Sequence, residues 1–289
     1  MKNNKIIRGF YALCLLAMAN LFFTGCGHDI LDLDAITPDS TQVQIDRNFI
    51  RAIGIKSVTT DYYDYKFGKP QKTRLDSLKE YSRRGDLTAE TLYDSNGLVQ
   101  SKKTYSHDAD GNVIEKTVYT GTGAIDTKTS YKYDSGKLQN ELNYDSTGKL
   151  VYKSVVKYND TGNATEEVIY DTTGSVAGGV IYEYAGNQRK YLKKYTSDPG
   201  APSETIEYFY DASGVKNKET TTKGTSVEER TYNSNKLLTE QKLLNDGTLA
   251  NFWRFKYDSN GLLVEKTGYN TTAVIDEPVS SYISTYSNY

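Results

Sequence analysis

The chain has 289 residues, 37% hydrophobic, 12% aromatic and 25% charged, with 26 tyrosines against eight phenylalanines and one tryptophan. Its 35 basic and 37 acidic side chains nearly cancel, so no strong field draws it to nucleic acid. Two histidines and two cysteines exclude most Cys/His metal centres and nearly all histidine-based catalysis.

Residues 1–25 read as a signal peptide. Lys2, Lys5 and Arg8 precede an apolar run from Phe10 to Phe23, which is too short to cross a bilayer as a helix. The run ends in Phe23-Thr24-Gly25-Cys26, which resembles a bacterial lipobox, with Phe23 where leucine is commonest. The resemblance implies that Cys26 is lipidated, becomes the mature N-terminus and makes the membrane a partner through its acyl chains. It implies a cell-envelope address, as an outer-membrane lipoprotein. Cys14 is discarded with the signal, so no intrachain disulfide is expected. Residues 26–47 read as the lipidated cysteine and a tether, and residues 48–289 as one β domain.

From Gly97 onward a turn recurs. Tyr93-Asp-Ser-Asn-Gly97, Tyr144-Asp-Ser-Thr-Gly148, Tyr158-Asn-Asp-Thr-Gly162, Tyr170-Asp-Thr-Thr-Gly174, Tyr210-Asp-Ala-Ser-Gly214 and Tyr257-Asp-Ser-Asn-Gly261 are its clearest copies. Counting Asn235 as a degenerate copy, successive positions from Gly97 to Gly261 stay 10 to 14 residues apart. Aspartate or asparagine opens each turn by bonding the backbone ahead, and glycine takes the left-handed final position. The residues left between turns make a strand, and they alternate rather than following a helical period. Counting back by twos aligns Tyr257 with Phe255 and Trp253, Tyr210 with Tyr208, and Tyr158 with Val156, Ser154 and Tyr152. Charged residues such as Lys256, Glu207, Glu183 and Lys157 fall between them. The expected fold is all-β: an antiparallel meander of repeated hairpins in one long, twisted, curled sheet, as an open strip or partial shell.

The repeated Tyr-Asp-x-x-Gly-x-Leu pattern resembles the YD (Rhs-type) repeat family over roughly residues 75–269. The family's architecture implies a strip of hairpins that coils into a shell. The large members' toxin-enclosing role is not expected of so short a chain. Small repeat-bearing lipoproteins of Bacteroidota are the nearer comparison.

No residue pattern marks a catalytic, metal or cofactor site. His107-Asp108-Ala-Asp110-Gly111-Asn112 coincides with a repeat turn and lacks the late bidentate carboxylate of a calcium loop. Paired carboxylates would suffice for a glycoside hydrolase, and Glu115, Glu141, Glu166, Glu167, Glu183, Glu207 and Glu265 are candidates by type. They read as solvated, repeat-equivalent positions, and nothing selects a pair. The expected function is therefore a non-enzymatic binding or structural module taking a glycan or protein ligand, with Trp253, Phe255 and Tyr257 representing the aromatic surface. The alternative is a hydrolase using two glutamates on the sheet.

Overall fold

The computed structural model describes residues 40–271 and 277–289. The signal segment, Cys26 and most of the tether lie outside the described residues. One helix, α1 (Ser40–Ile53), crosses the expected tether boundary and stops at Gly54, whose φ of +76° suits the left-handed position closing a helix. It docks through Arg47, which pairs with Asp86 at 2.5 Å and donates to the Asp110 carbonyl at 2.6 Å.

Eighteen strands follow among the described residues. The first six are β1 (Ile55–Lys66), β2 (Lys69–Tyr81), β3 (Leu87–Tyr93), β4 (Val99–His107), β5 (Val113–Thr120) and β6 (Ile125–Asp134). Then come β7 (Lys137–Asp145), β8 (Leu150–Tyr158), β9 (Ala164–Asp171), β10 (Val176–Ala185), β11 (Gln188–Tyr195) and β12 (Glu204–Tyr210). The last are β13 (Lys216–Lys223), β14 (Ser226–Tyr232), β15 (Leu238–Asn245), β16 (Thr248–Tyr257), β17 (Leu263–Tyr269) and β18 (Pro278–Asn288).

Each strand pairs antiparallel with the next, and β1 pairs with β18 from Ile55↔Asn288 to Asp64↔Ser280. The sheet is a closed, up-and-down barrel. This corrects the expected open strip or partial shell. An open strip would leave two rows of unpaired backbone groups, and closure satisfies both. The closing strands, β1 and β18, lie outside the repeat, so the repeat gives no sign of them.

The turns follow the repeat's chemistry. Asp94 Oδ1 accepts the amides of Asn96 at 2.8 Å and Leu98 at 2.9 Å. Asp145, Asn159, Asp171, Asp211, Asn233 and Asp258 repeat this pair of bonds. Gly97 follows with a φ of +77°. In the Asn233 turn the corresponding residue is Lys236, at φ +64°, and not Asn235 as the spacing suggested. A register shift accompanies the turns, such as that between Lys157 and Tyr158, so the strand phase is reset there.

The motif tyrosines have a structural task. Tyr158, Tyr184, Tyr210 and Tyr257 close β8, β10, β12 and β16, and each hydroxyl donates to a carbonyl near the start of the preceding strand. The acceptors are Leu138, Ala164, Arg189 and Leu238, at 2.7 to 2.9 Å. Tyr286 does the same to Leu263. Because strands alternate in direction, all five clasps lie on the rim where α1 enters.

The aromatic face is the inside. Lys266 on β17 is acted on by Asp76 on β2 and Glu228 on β14, each three strands away, which is possible only on the concave side. Tyr184, Tyr208, Tyr210, Trp253, Phe255 and Tyr257 all share that face by alternation. The outside carries cross-strand ion pairs around the circumference: Asp61–Lys72, Glu115–Lys128, Lys157–Glu166, Glu183–Lys193, Lys218–Glu229 and Glu240–Arg254. A lipid-facing barrel needs an apolar outer band instead.

Candidate functional site

A ring of eighteen strands at roughly 4.8 Å spacing is wide enough to keep its inner wall wet. Most inner-face tyrosines are accordingly only half-buried. Three side-chain clusters line this wall.

The first spans β16, β17, β18, β1 and β2. Register sets Phe255 opposite Lys266, Lys266 opposite Tyr282, Tyr282 opposite Tyr62, and Tyr62 opposite Arg74. Lys266 Nζ lies 4.4 Å over the Trp253 ring and 5.7 Å from both Phe255 and Tyr282. Arg74 sits 4.1 Å over Tyr62. The Trp253 ring packs against Gly268, where an added Cβ would come within 2.6 Å of it. Burial pushes the Lys266 ammonium below its ordinary pKa, against the pull of Glu228 and Asp76.

The second cluster centres on Glu219, which accepts Lys216 and Arg230, each at 2.8 Å. Burial works to raise this carboxyl, but the two cations outweigh it and hold the pKa below the usual range. Lys216 also lies 4.2 Å over the Tyr232 ring.

The third cluster lies on β7–β9. Glu141 faces Ser154 directly across the ladder, and Glu167 faces Val156 one pair along. Glu141 retains 3% exposure, Ser154 and Glu167 none. Tyr152 donates to Glu141 Oε1 at 2.8 Å. Burial first, and the Glu141 charge as well, push the Glu167 carboxyl up to about 7, opposed by the adjacent Ser154 hydroxyl.

The expected surface trio divides. Trp253 and Phe255 enclose Lys266, whereas Tyr257 is tied by its hydroxyl to Leu238. The seven candidate glutamates divide too. Glu115, Glu166 and Glu183 sit outside against lysines, Glu207 accepts Tyr191 at 2.8 Å, and Glu265 accepts Thr267 at 3.0 Å. Glu141 and Glu167 are buried, which corrects their reading as solvated positions. Lys266, Arg74 and Glu219 were not singled out from sequence, because their role depends on strands that meet only after folding, and Ser154 was read only as sharing the face of Tyr158 and Tyr152. The segment from His107 to Asn112 forms the β4–β5 turn, with Asp108 bonded to Asn112. Among the described residues no three His, Cys, Asp or Glu side chains gather as a metal cluster. A shallow outer depression beside Lys132, Asn140 and Lys153 holds about 180 Å³, small for an organic ligand.

No family model matches this chain. No curated protein matches it either. Among solved structures, a porin-like protein from Bacteroides uniformis overlaps it at 11% identity and a TM-score of 0.40, covering 81% of this chain and 97% of its own. A second, from Bacteroides vulgatus, overlaps at 11% identity and 0.28, covering 81% and 99%. The Tc holotoxin pore of Photorhabdus luminescens overlaps at 10% and 0.27, covering 72% of this chain but 15% of its own. Overlaps this loose establish neither a shared fold nor a shared activity.

Proposed function

We propose that this chain is a lipid-anchored β-barrel of the cell envelope that binds a glycan or protein ligand on its aromatic inner wall and catalyses no reaction. The observation that carries the reading is the Trp253–Phe255–Lys266–Tyr282 cluster. Trp253, Phe255 and Tyr282 are half-buried there, offering flat apolar area beside a cation. Anchoring rests on Cys26. The charged outer wall supports a barrel that stands in water, held to the membrane by acyl chains rather than crossing it.

A screen of envelope glycans and secreted proteins against the soluble 27–289 fragment tests this. Trp253→Ala should weaken an identified ligand by about 10-fold or more, and Tyr257→Phe should leave it unchanged. Equal loss in both variants, or no ligand at all, removes the reading. The hydrolase alternative has one observation in its favour, the raised Glu167 carboxyl beside Glu141. Its weakness is access: neither carboxylate reaches the surface a sugar could touch. Glycoside turnover abolished by Glu167→Gln would establish it.

A further inference from the structure

We propose that the ligand of the inner wall is an acidic oligosaccharide laid across β16 to β2. Its carboxylate or sulfate meets Lys266, and its sugar rings meet Trp253, Phe255 and Tyr282. The inference rests on the aromatic-wall reading above and adds the ligand's charge. What carries it is the position of Lys266 among the cations of its sector. Arg230 meets Glu228 at 2.5 Å and Glu219 at 2.8 Å, and Lys216 meets Glu219 at 2.8 Å. Arg74 meets Asp76 at 3.6 Å. The acids that act on Lys266 are Glu228 and Asp76, and an arginine already engages each of them. The Lys266 ammonium contacts rings instead, Trp253 at 4.4 Å and both Phe255 and Tyr282 at 5.7 Å. Rings hold a cation less strongly than a bonded carboxylate does, so the ammonium keeps its capacity for an anion. Its lowered pKa agrees, since burial there outweighs the pull of both acids.

The surroundings select the carrier of that anion. Because the three rings flank the ammonium, an anion on Lys266 brings its carrier against them. Sugars offer C–H faces to aromatic rings, so an acid and a sugar ring in one molecule match this cation and its rings. The register adds length. Phe255, Lys266, Tyr282, Tyr62 and Arg74 stand opposite one another on successive strands. Lys266 and Arg74 are three strands apart, about 14 Å at roughly 4.8 Å a strand. The Tyr282 and Tyr62 rings lie between them, their centroids 5.0 Å apart. Arg74 keeps its Nε without a hydrogen bond. Asp64, close to this row, accepts the Tyr62 hydroxyl at 2.8 Å. A row of ring, cation, ring, ring and cation suits several linked sugars that carry acids at intervals.

The test is calorimetry on the full-length protein in detergent with two matched pairs, oligogalacturonate against its methyl ester and dextran sulfate against dextran. In at least one pair the acidic member should bind about 10-fold more tightly than its uncharged partner, and the responding pair tells carboxylate from sulfate. Salt at about 0.5 M should shrink the gap. Lys266→Met keeps the apolar stem and should narrow the gap to about twofold, while Lys266→Arg should retain it. Should Lys266→Met fail to fold, Arg74→Met serves in its place and should narrow the gap in the same direction. Lys157→Met, on the outer wall, should change neither affinity. Equal affinity within both pairs, a gap that survives Lys266→Met, or no binding by any of the four overturns the proposal. So does hexaglutamate binding as tightly as the acidic sugars, which would mean charge without rings. If the uncharged members bind as well as the acidic ones and Trp253→Ala abolishes both, the aromatic-wall reading stands and the acidic ligand alone falls.

Discussion

Gly85 and Gly97 both adopt left-handed backbone, at φ +85° and +77°, yet their surroundings differ. An added Cβ at Gly97 meets nothing, whereas at Gly85 it runs into the Arg47 carbonyl of α1. Gly97→Ala should therefore cost about 1 kcal/mol, the strain of the turn alone. Gly85→Ala should cost about 2 kcal/mol or more and loosen the helix, both read by chemical denaturation. Lys236 is the converse case, and Lys236→Gly should stabilise by about 0.5 kcal/mol. Glu167 governs a second residue-scale effect. Its carboxyl rises from 4.5 to about 7 on folding, so the native state binds the proton more tightly than the unfolded chain. Stability from this group is present below pH 4.5, falls between 4.5 and 7, and is flat above; the loss is about 3 kcal/mol. The exposed turn carboxylates of Asp94, Asp145, Asp171 and Asp211 are lowered by their turn hydrogen bonds and act oppositely. Their contribution is lost as pH falls below the ordinary carboxylate range. Glu167→Gln should gain on the wild type at pH 8 and match it near pH 4, measured by denaturant titration.

At the scale of elements, closure changes which strands are weakest. In an open strip β1 and β18 would fray first; here each is bonded on both sides. Their amides should exchange as slowly as those of β8 and β9, and rapid exchange confined to β1 and β18 would mean the seam opens. The tyrosine clasps add a second expectation. Tyr158→Phe keeps the ring on the wall but leaves the Leu138 carbonyl without its donor, a loss of about 1 kcal/mol in urea titration. The turns and the alternating strands were legible because each copy carries its own Asp and Gly. The seam was not, since Ile55–Lys66 and Pro278–Asn288 contain no copy of the motif and pair only with each other and their neighbours. Nor was α1, although Phe49, Ile53 and the closing Gly54 give a helical spacing with its stop. The buried Glu167 was hidden by phase. The bulge at Tyr158 decides whether Glu166 or Glu167 turns inward, and the adjacent pair of glutamates cannot reveal which.

At the scale of the molecule, the two walls differ in chemistry. Ion pairs circle the outside, and the inside gathers Trp253, Lys266, Tyr282 and Arg74 from strands at opposite ends of the described chain. Strand number has its own consequence. Eighteen is even, so a chain that runs up and down leaves the barrel by the rim at which it entered. The Tyr289 amide accordingly bonds the Gly54 carbonyl at the foot of β1. The turns at Gly68, Gly97, Gly123, Gly148 and Gly174 all open on the other rim. For an engineer this is an addressing rule. An epitope inserted at Thr122-Gly123 should be reached by antibody on membranes carrying the acylated protein, and one fused after Tyr289 should be shielded until Cys26→Ser frees the chain. Equal labelling of both tags on the anchored protein would mean that the barrel does not stand on its entry rim.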